Sequence, residues 1–470
     1  MKTVRAYRLI GWICLAFLCP AAVVQGAPAT AAKPNIVLIL ADDLGYGDLG
    51  CYGGKIATPN LDRMAKEGVR FTDYYVSQPV CSASRAALMT GRSADRVGIF
   101  GALPPKSKVV LNSQEVTIAE VLKGGGYTNA LYGKWHLGDS PDSLPRSQGF
   151  HDYYGLPYSN DMWPKHPVAP EKYPPLPLME NEKVVQTMPD QTQLTKSYTE
   201  RAVKFIQNSK DRPFFLLVGH NMPHVPLFVS DKFKRKSGAG LYGDVLAELD
   251  WSVGEILRAV KEAGLDEKTL VMFSSDNGPW LLYGEHSGSA GPLREGKATA
   301  FEGGFRVPFL ARWPKKIPAG TVSREIVTAM DILPTVADVT GAEVTAKLDG
   351  KNIWPLMSGA KGAKSPHDAF YYYWHRELHA VRSGKWKLHF QHFYTRPNPG
   401  GKDGKPGNFS TEETGVELYD LDKDIGEKVN LASMHPDVVK KLDGIAEKAR
   451  REFGDSLPKR DVTEPVRTTQ

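Results

Sequence analysis

Asn35-Ile36-Val37-Leu38-Ile39-Leu40-Ala41-Asp42-Asp43 is the stretch from which the fold can be read. Its apolar run, rich in β-branched residues, offers no polar face, which is the pattern of a strand covered on both sides in a parallel sheet. Such a strand delivers Asp42 and Asp43 to its C-terminal end. Outward from it, helical and strand patterns alternate. Residues 58–67, 82–90, 116–122, 198–208 and 241–263 read as helices, and residues 69–75, 127–132, 214–218 and 269–273 as strands. The expected class is α/β, a mainly parallel sheet covered by helices on both faces, with ligands beyond the C-terminal ends of the strands. Proline-rich residues 155–190 interrupt the alternation and read as a long surface insertion forming a pocket wall.

Past about residue 345 the pattern changes to short strand-like pieces at 369–374, 379–382, 385–390 and 416–421. They predict a smaller C-terminal antiparallel sheet, followed by an amphipathic helix over residues 436–453. The Gly/Lys/Pro-rich residues 396–408 read as a mobile loop. The expected division is a main domain over 34–344, a small α+β subdomain over 345–455 and a tail over 456–470.

The first 26 residues read as a signal peptide: Lys2, Arg5 and Arg8 precede a mostly apolar run, and small residues follow at Gly26 and Ala27. Pro20 breaks that run, which is short for a bilayer, so export to the periplasm or beyond is expected, without stable membrane insertion. Loss of the leader lowers the formal net charge from +6 to +3. No long basic tract remains, which argues against a nucleic-acid partner. Of the four cysteines, Cys14 and Cys19 lie in the leader, leaving Cys51 and Cys81 and at most one bridge. The surroundings of Cys81 point elsewhere.

Asp42-Asp43 and Ser274-Ser275-Asp276-Asn277-Gly278 each follow an apolar strand. One such pair is more often a turn or a helix cap, but two on strands of one sheet supply three carboxylates and an amide oxygen. That is the all-oxygen shell of a hard divalent cation, calcium or magnesium. In Cys81-Ser-Ala-Ser-Arg85-Ala-Ala-Leu-Met-Thr-Gly91-Arg92, the cysteine opens a helix whose free N–H groups favour anions, and Arg85 lies one turn on. Lys134 and His136, in Gly133-Lys-Trp-His-Leu-Gly138, stand two apart after a strand and so point the same way in extended chain. His220-Asn-Met-Pro-His224 follows another strand, and Lys297 lies in the run 296–308.

With these motifs the chain resembles the type I, formylglycine-dependent sulfatases of the alkaline-phosphatase-like superfamily, in the arylsulfatase A-like and N-acetylgalactosamine-6-sulfatase-like branch. The resemblance runs from about Asn35 to Leu431 and takes in Gly155-Leu-Pro-Tyr-Ser159 and Glu417-Leu-Tyr-Asp-Leu421. It implies that one calcium ion is held by Asp42, Asp43, Asp276, Asn277 and the modified side chain of Cys81. Arg85, Lys134, His136, His224 and Lys297 would surround the sulfate, with Ser159 a further contact. Cys81 would be oxidised to formylglycine (3-oxoalanine) by a formylglycine-generating maturation enzyme, although Ala83 stands where the family usually has proline. One hydroxyl of the aldehyde hydrate would attack sulfur, with Lys297 and His224 assisting the leaving alcohol. His136 would then take the proton of the second hydroxyl, expelling sulfate.

The expected substrate is a sulfated small molecule or saccharide. A phosphomonoester or phosphonate hydrolase of the same superfamily is the nearest alternative, but a phosphatase would more usually bring Ser or Thr and two zinc ions, whereas this chain has a cysteine and too few histidine ligands for a second metal. A non-catalytic sulfated-glycan binding protein would keep Cys81 as a thiol, and the full set of catalytic residues argues against it. Trp280, Tyr283 and residues 371–374 suit stacking on sugar rings as well as a core role.

Overall fold

In the computed structural model, the described residues are 1–7, 9 and 33–457, so most of the expected signal peptide lies outside them. Eleven strands precede residue 324: β1 (Asn35–Ala41), β2 (Val69–Phe71), β3 (Tyr74–Tyr75), β4 (Thr128–Gly133), β5 (Asp152–Gly155), β6 (Pro177–Glu180), β7 (Lys183–Thr187), β8 (Phe214–Gly219), β9 (Thr269–Ser275), β10 (Phe309–Arg312) and β11 (Thr321–Ser323). Ten of them form one sheet in the order β11-β2-β10-β9-β1-β8-β4-β5-β6-β7. The five central strands, β9 through β5, are parallel, and antiparallel pairings appear toward both edges.

The quoted run behaves as its composition dictates, since every residue of β1 is buried. Ile36, Leu38 and Leu40 enter one core, and Val37, Ile39 and Ala41 the other. Alternate side chains of a strand leave opposite faces, so one strand feeds two hydrophobic layers. The first layer includes Ala83 and Ala86 of helix Cys81–Thr90 and Ile332 and Val336 of helix Ile332–Thr340. The second includes Tyr198 and Ile206 of helix Leu194–Asn208 and Leu249 and Val253 of helix Gly240–Glu262.

Residues 69–75 do not form one strand. They divide into β2 and β3, and β3 leaves the large sheet to pair with β12 (Val327–Thr328). The insertion at 155–190 is only partly a surface loop, because β6 and β7 extend the sheet edge and Ser159, Asn160 and Asp161 are buried. Near the C-terminus, β13 (Phe370–Trp374), β14 (Glu377–Ser383), β15 (Trp386–His389) and β18 (Glu417–Asp420) make the expected antiparallel sheet. Helix Pro436–Phe453 packs on it through Val439, Leu442 and Ala446. Between these strands lies a ribbon that the sequence reading missed, β16 (His392–Pro397) paired with β17 (Phe409–Thr414). Among the described residues no helix is long and apolar enough to cross a membrane.

Gly133 closes β4 with φ 124°, and a Cβ there would run into the carbonyl of Gly219 on β8. Only glycine fits a backbone so close to its neighbour. Gly133→Ala should therefore cost about 3 kcal/mol or more, read as a lower urea midpoint; an unchanged midpoint would mean that β4 and β8 do not approach this closely.

Candidate functional site

Four neighbouring parallel strands, β9-β1-β8-β4, end at the same edge and release the chemistry-bearing segments there. Register decides who meets whom: Ala41 pairs with Ser275, and the Asp276 N–H donates to the Ala41 carbonyl at 3.1 Å. Asp42 and Asp43 thus stand beside Asp276 and Asn277. On the other side of β1, the Lys134 N–H donates to Gly219 O at 2.7 Å, which brings the β4 exit to the same point.

Three buried carboxylates face three cations, two of them buried and Lys297 partly so. Lys134 Nζ lies 2.5 Å from Asp42 Oδ2 and 3.2 Å from Ser159 Oγ. Arg85 Nε donates to Asp276 Oδ2 at 2.8 Å, and its Nη1 donates to the Lys134 carbonyl at 2.9 Å. Lys297 Nζ donates to Asp43 Oδ1 at 2.8 Å and stands 3.9 Å from Cys81 Sγ. His224 Nε2 lies 3.5 Å from Asp43 Oδ2. Burial alone would weaken the Lys134 ammonium, but the Asp42 carboxylate lifts its pKa above the ordinary value; Asp43 does the same for Lys297.

Cys81 is the first residue of its helix, buried, with its thiol pKa pushed up by burial against the opposing pull of Lys134 and Lys297. Unmodified, it is a thiol rather than a thiolate and a poor nucleophile. Cys51 is also free, so the two cysteines form no bridge.

His136 reaches this site by a route other than strand alternation. The chain turns left-handed at His136, with φ 64°, so Lys134 and His136 are not successive outward residues of an extended segment. His136 Nε2 faces the Leu103 carbonyl at 3.0 Å, while its buried Nδ1 has no partner among the described residues. Burial, then Lys134 and Arg85, hold its pKa well below the usual histidine value. A neutral ring donating from Nε2 leaves Nδ1 free to accept a proton.

Asp42, Asp43 and His224 each present a ligand atom within 4.8 Å of the others. Asp276 adjoins that group, its Oδ1 accepting from the Asp43 N–H at 3.2 Å. Asp42 Oδ1 and Asn277 Oδ1 are buried oxygens without hydrogen-bond partners among the described residues. An oxygen-rich set with two unsatisfied buried acceptors fits a hard divalent cation.

With this geometry in view, comparison with known proteins becomes decisive. The Sulfatase family model matches residues 34–342, and a model for the C-terminal part of N-sulphoglucosamine sulphohydrolase matches residues 296–451. The chain belongs to the sulfatase family. It is therefore a sulfuric ester hydrolase. It is 42% identical to arylsulfatase A of Homo sapiens over 447 residues, covering 88% of this chain and 87% of that protein. It is 38% identical to N-acetylgalactosamine-6-sulfatase of Canis lupus familiaris over 400 residues, with 81% and 76% covered. The structure of the PsFucS1 sulfatase from Pseudoalteromonas sp. superposes with a TM-score of 0.80 at 28% identity, covering 90% and 92%.

Two groups in this sulfatase were not singled out from sequence. Asp161, buried in the insertion, has a pKa held below the usual carboxylate range: burial would raise it, but His224 and a hydrogen bond from Ser159 outweigh that. It lies six residues past β5, inside the proline-rich stretch read as a surface insertion. The Leu103 carbonyl, which orients His136, carries no side-chain signal at all.

His220 belongs to the wall behind the site, packed against Ser252 Oγ at 3.2 Å, and burial lowers its pKa to about 3. Because this lies below the unfolded value near 6.5, its contribution to stability is complete above that pH and is lost as pH falls toward 3. Relative to His220→Asn, wild type should lose about 2 kcal/mol between pH 6.5 and 5. Paired urea titrations at the two pH values measure it, and a difference independent of pH would exclude a buried neutral ring.

Proposed function

We propose that this protein is exported and hydrolyses sulfate monoesters, with carbohydrate sulfates favoured over small aryl sulfates, at the site around Cys81 after oxidation of that residue to formylglycine. The observation that carries the reading is the convergence of Cys81, Arg85, Lys134 and Lys297 on the carboxylates at the ends of β1 and β9. The relatives named above support the substrate class. The expected leader at residues 1–26 supports export, and the expected division at 34–344 and 345–455 would leave these site residues in the main domain.

Asp42, Asp43, Asp276 and Asn277, with the modified residue 81, would hold one calcium ion. Its two positive charges would offset the carboxylates and favour an anionic ester. The hydrated aldehyde supplies two hydroxyls on one carbon, one to attack sulfur and one through which sulfate is released.

Every other part is played by side chains already present. Arg85, Lys134 and Lys297 neutralise the sulfate oxygens as charge develops. Their ion pairs with buried carboxylates keep them charged and fixed, so little reorganisation accompanies the reaction. His136, neutral and open at Nδ1, takes the proton whose removal releases sulfate. Lys297 and His224 stabilise the departing alkoxide, and Ser159, through Lys134, helps to fix the sulfate end.

Protein matured in its native host, or beside a maturation enzyme, should yield a tryptic peptide over residues 71–85 carrying an aldehyde reactive with hydrazines, and Cys81→Ala should abolish turnover. A peptide with only cysteine, from a preparation that still cleaves sulfate esters, would end this reading. Bound-metal analysis should find one calcium per chain in wild type and little in Asp276→Ala. Equal, stoichiometric zinc in both would remove calcium from the proposal.

A further inference from the structure

Beside Lys297 lies a cleft of about 120 Å³, lined among others by Trp280, Leu281, Glu295, Pro397 and Phe409. A cavity on the order of 150 Å³ holds a single six-membered ring, so this cleft has the dimensions for one ring. One wall is the β16–β17 ribbon, the segment expected to include a mobile loop. The structure shows it fastened instead. The N–H groups of Gly401 and Gly407 donate to the Leu282 carbonyl at 2.8 and 2.9 Å, and the Asp403 N–H donates to Glu285 Oε1 at 2.6 Å. Gly284, at φ 56°, allows the close approach to Gly401. The cleft is preformed.

Two of its residues are unusual for their surroundings. Phe409 is 59% exposed, an apolar ring facing water in a structure that buries most of its aromatics. Glu295 has a side chain only 9% exposed, yet its one ion pair among the described residues is to Arg396 Nε at 3.6 Å, on a side chain that is 60% exposed. Its backbone sits at φ 54°, a conformation that a non-glycine residue adopts at some cost. An ionised carboxylate only accepts hydrogen bonds. A largely buried carboxylate whose one ion pair is a loose contact to an exposed arginine has room to accept from a ligand that brings donors.

We propose that Glu295 and Phe409 select the alcohol half of the substrate: a single sugar ring that packs against Phe409 and donates a hydroxyl or amide hydrogen near the sulfated position to Glu295. The inference rests on the sulfatase reading above and extends it to the leaving group. A ring lacking donors, as in an aryl sulfate, forgoes the Glu295 contact, and a second anionic group beside the scissile ester meets its negative charge.

The matured enzyme is assayed on 4-nitrophenyl sulfate and on a panel of monosulfated hexoses and N-acetylhexosamines. Wild type should favour at least one sugar sulfate in kcat/KM. Glu295→Leu should cut that preference roughly ten- to a hundredfold, the range for a hydrogen bond to a charged group. Glu295→Gln, which keeps an acceptor, should restore part of it. Phe409→Ala should raise KM for the sugar with kcat nearly kept, and melting curves verify that each variant is folded. Aldehyde-bearing wild type that cleaves no sulfate ester overturns the sulfatase reading, and this inference with it. Cleavage of the aryl sulfate but of no sugar sulfate, or equal losses on both probes in Glu295→Leu, overturns the selection by Glu295 alone.

Discussion

Burying three carboxylates within one site is the constraint around which this molecule is arranged. Each ion taken out of water costs several kcal/mol unless a counter-charge and hydrogen bonds replace its hydration. Asp42, Asp43 and Asp276 find theirs in Lys134, Lys297 and Arg85, which come from a different strand exit, a distant loop and a helix. No segment of the chain could satisfy the group locally. The charges that make the site costly to bury are those that would bind a metal and an anionic ester.

That balance extends to the small C-terminal sheet. Lys387 on β15 is fully buried, donates to the Ala300 carbonyl at 2.9 Å and pairs with Glu302 at 3.0 Å and Glu427 at 2.8 Å. Glu427 in turn accepts from the Glu302 N–H at 2.8 Å. Burial would raise the Glu302 carboxyl, but Lys387, Arg306 and Arg382 hold it well below the ordinary range. The run from Lys297 to Glu302 is therefore anchored at its far end by residues from the C-terminal strands. The smaller sheet sets the position of a cation at the site as well as covering one edge of the protein.

Much of this was legible in the chain itself. Apolar runs at 36–40, 214–218 and 270–273 announce buried parallel strands because they are too short for helices and carry no polar face. Their polar terminations point to the C-terminal edge of the sheet, where the candidate residues are found. Cys81 and Arg85 could be placed on one helix from their spacing alone. Where the reading failed, the missing information was nonlocal. Nothing in residues 396–408 states that their amides reach the Leu282 carbonyl, so the ribbon read as a loose loop. Likewise, no strand pattern marks Asp161, and His136 faces the site through a left-handed turn that its extended-looking context conceals.

The sequence by itself determined the parallel core, the residue types gathered at its edge and the helix that begins at Cys81, because these follow from periodicity and local chemistry. Only the tertiary structure decided which carboxylate pairs with which cation, that His136 stays neutral against Leu103, and that a fastened ribbon walls a one-ring cleft beside Lys297. Those properties arise from contacts between residues far apart in the chain and from the low dielectric that their burial creates.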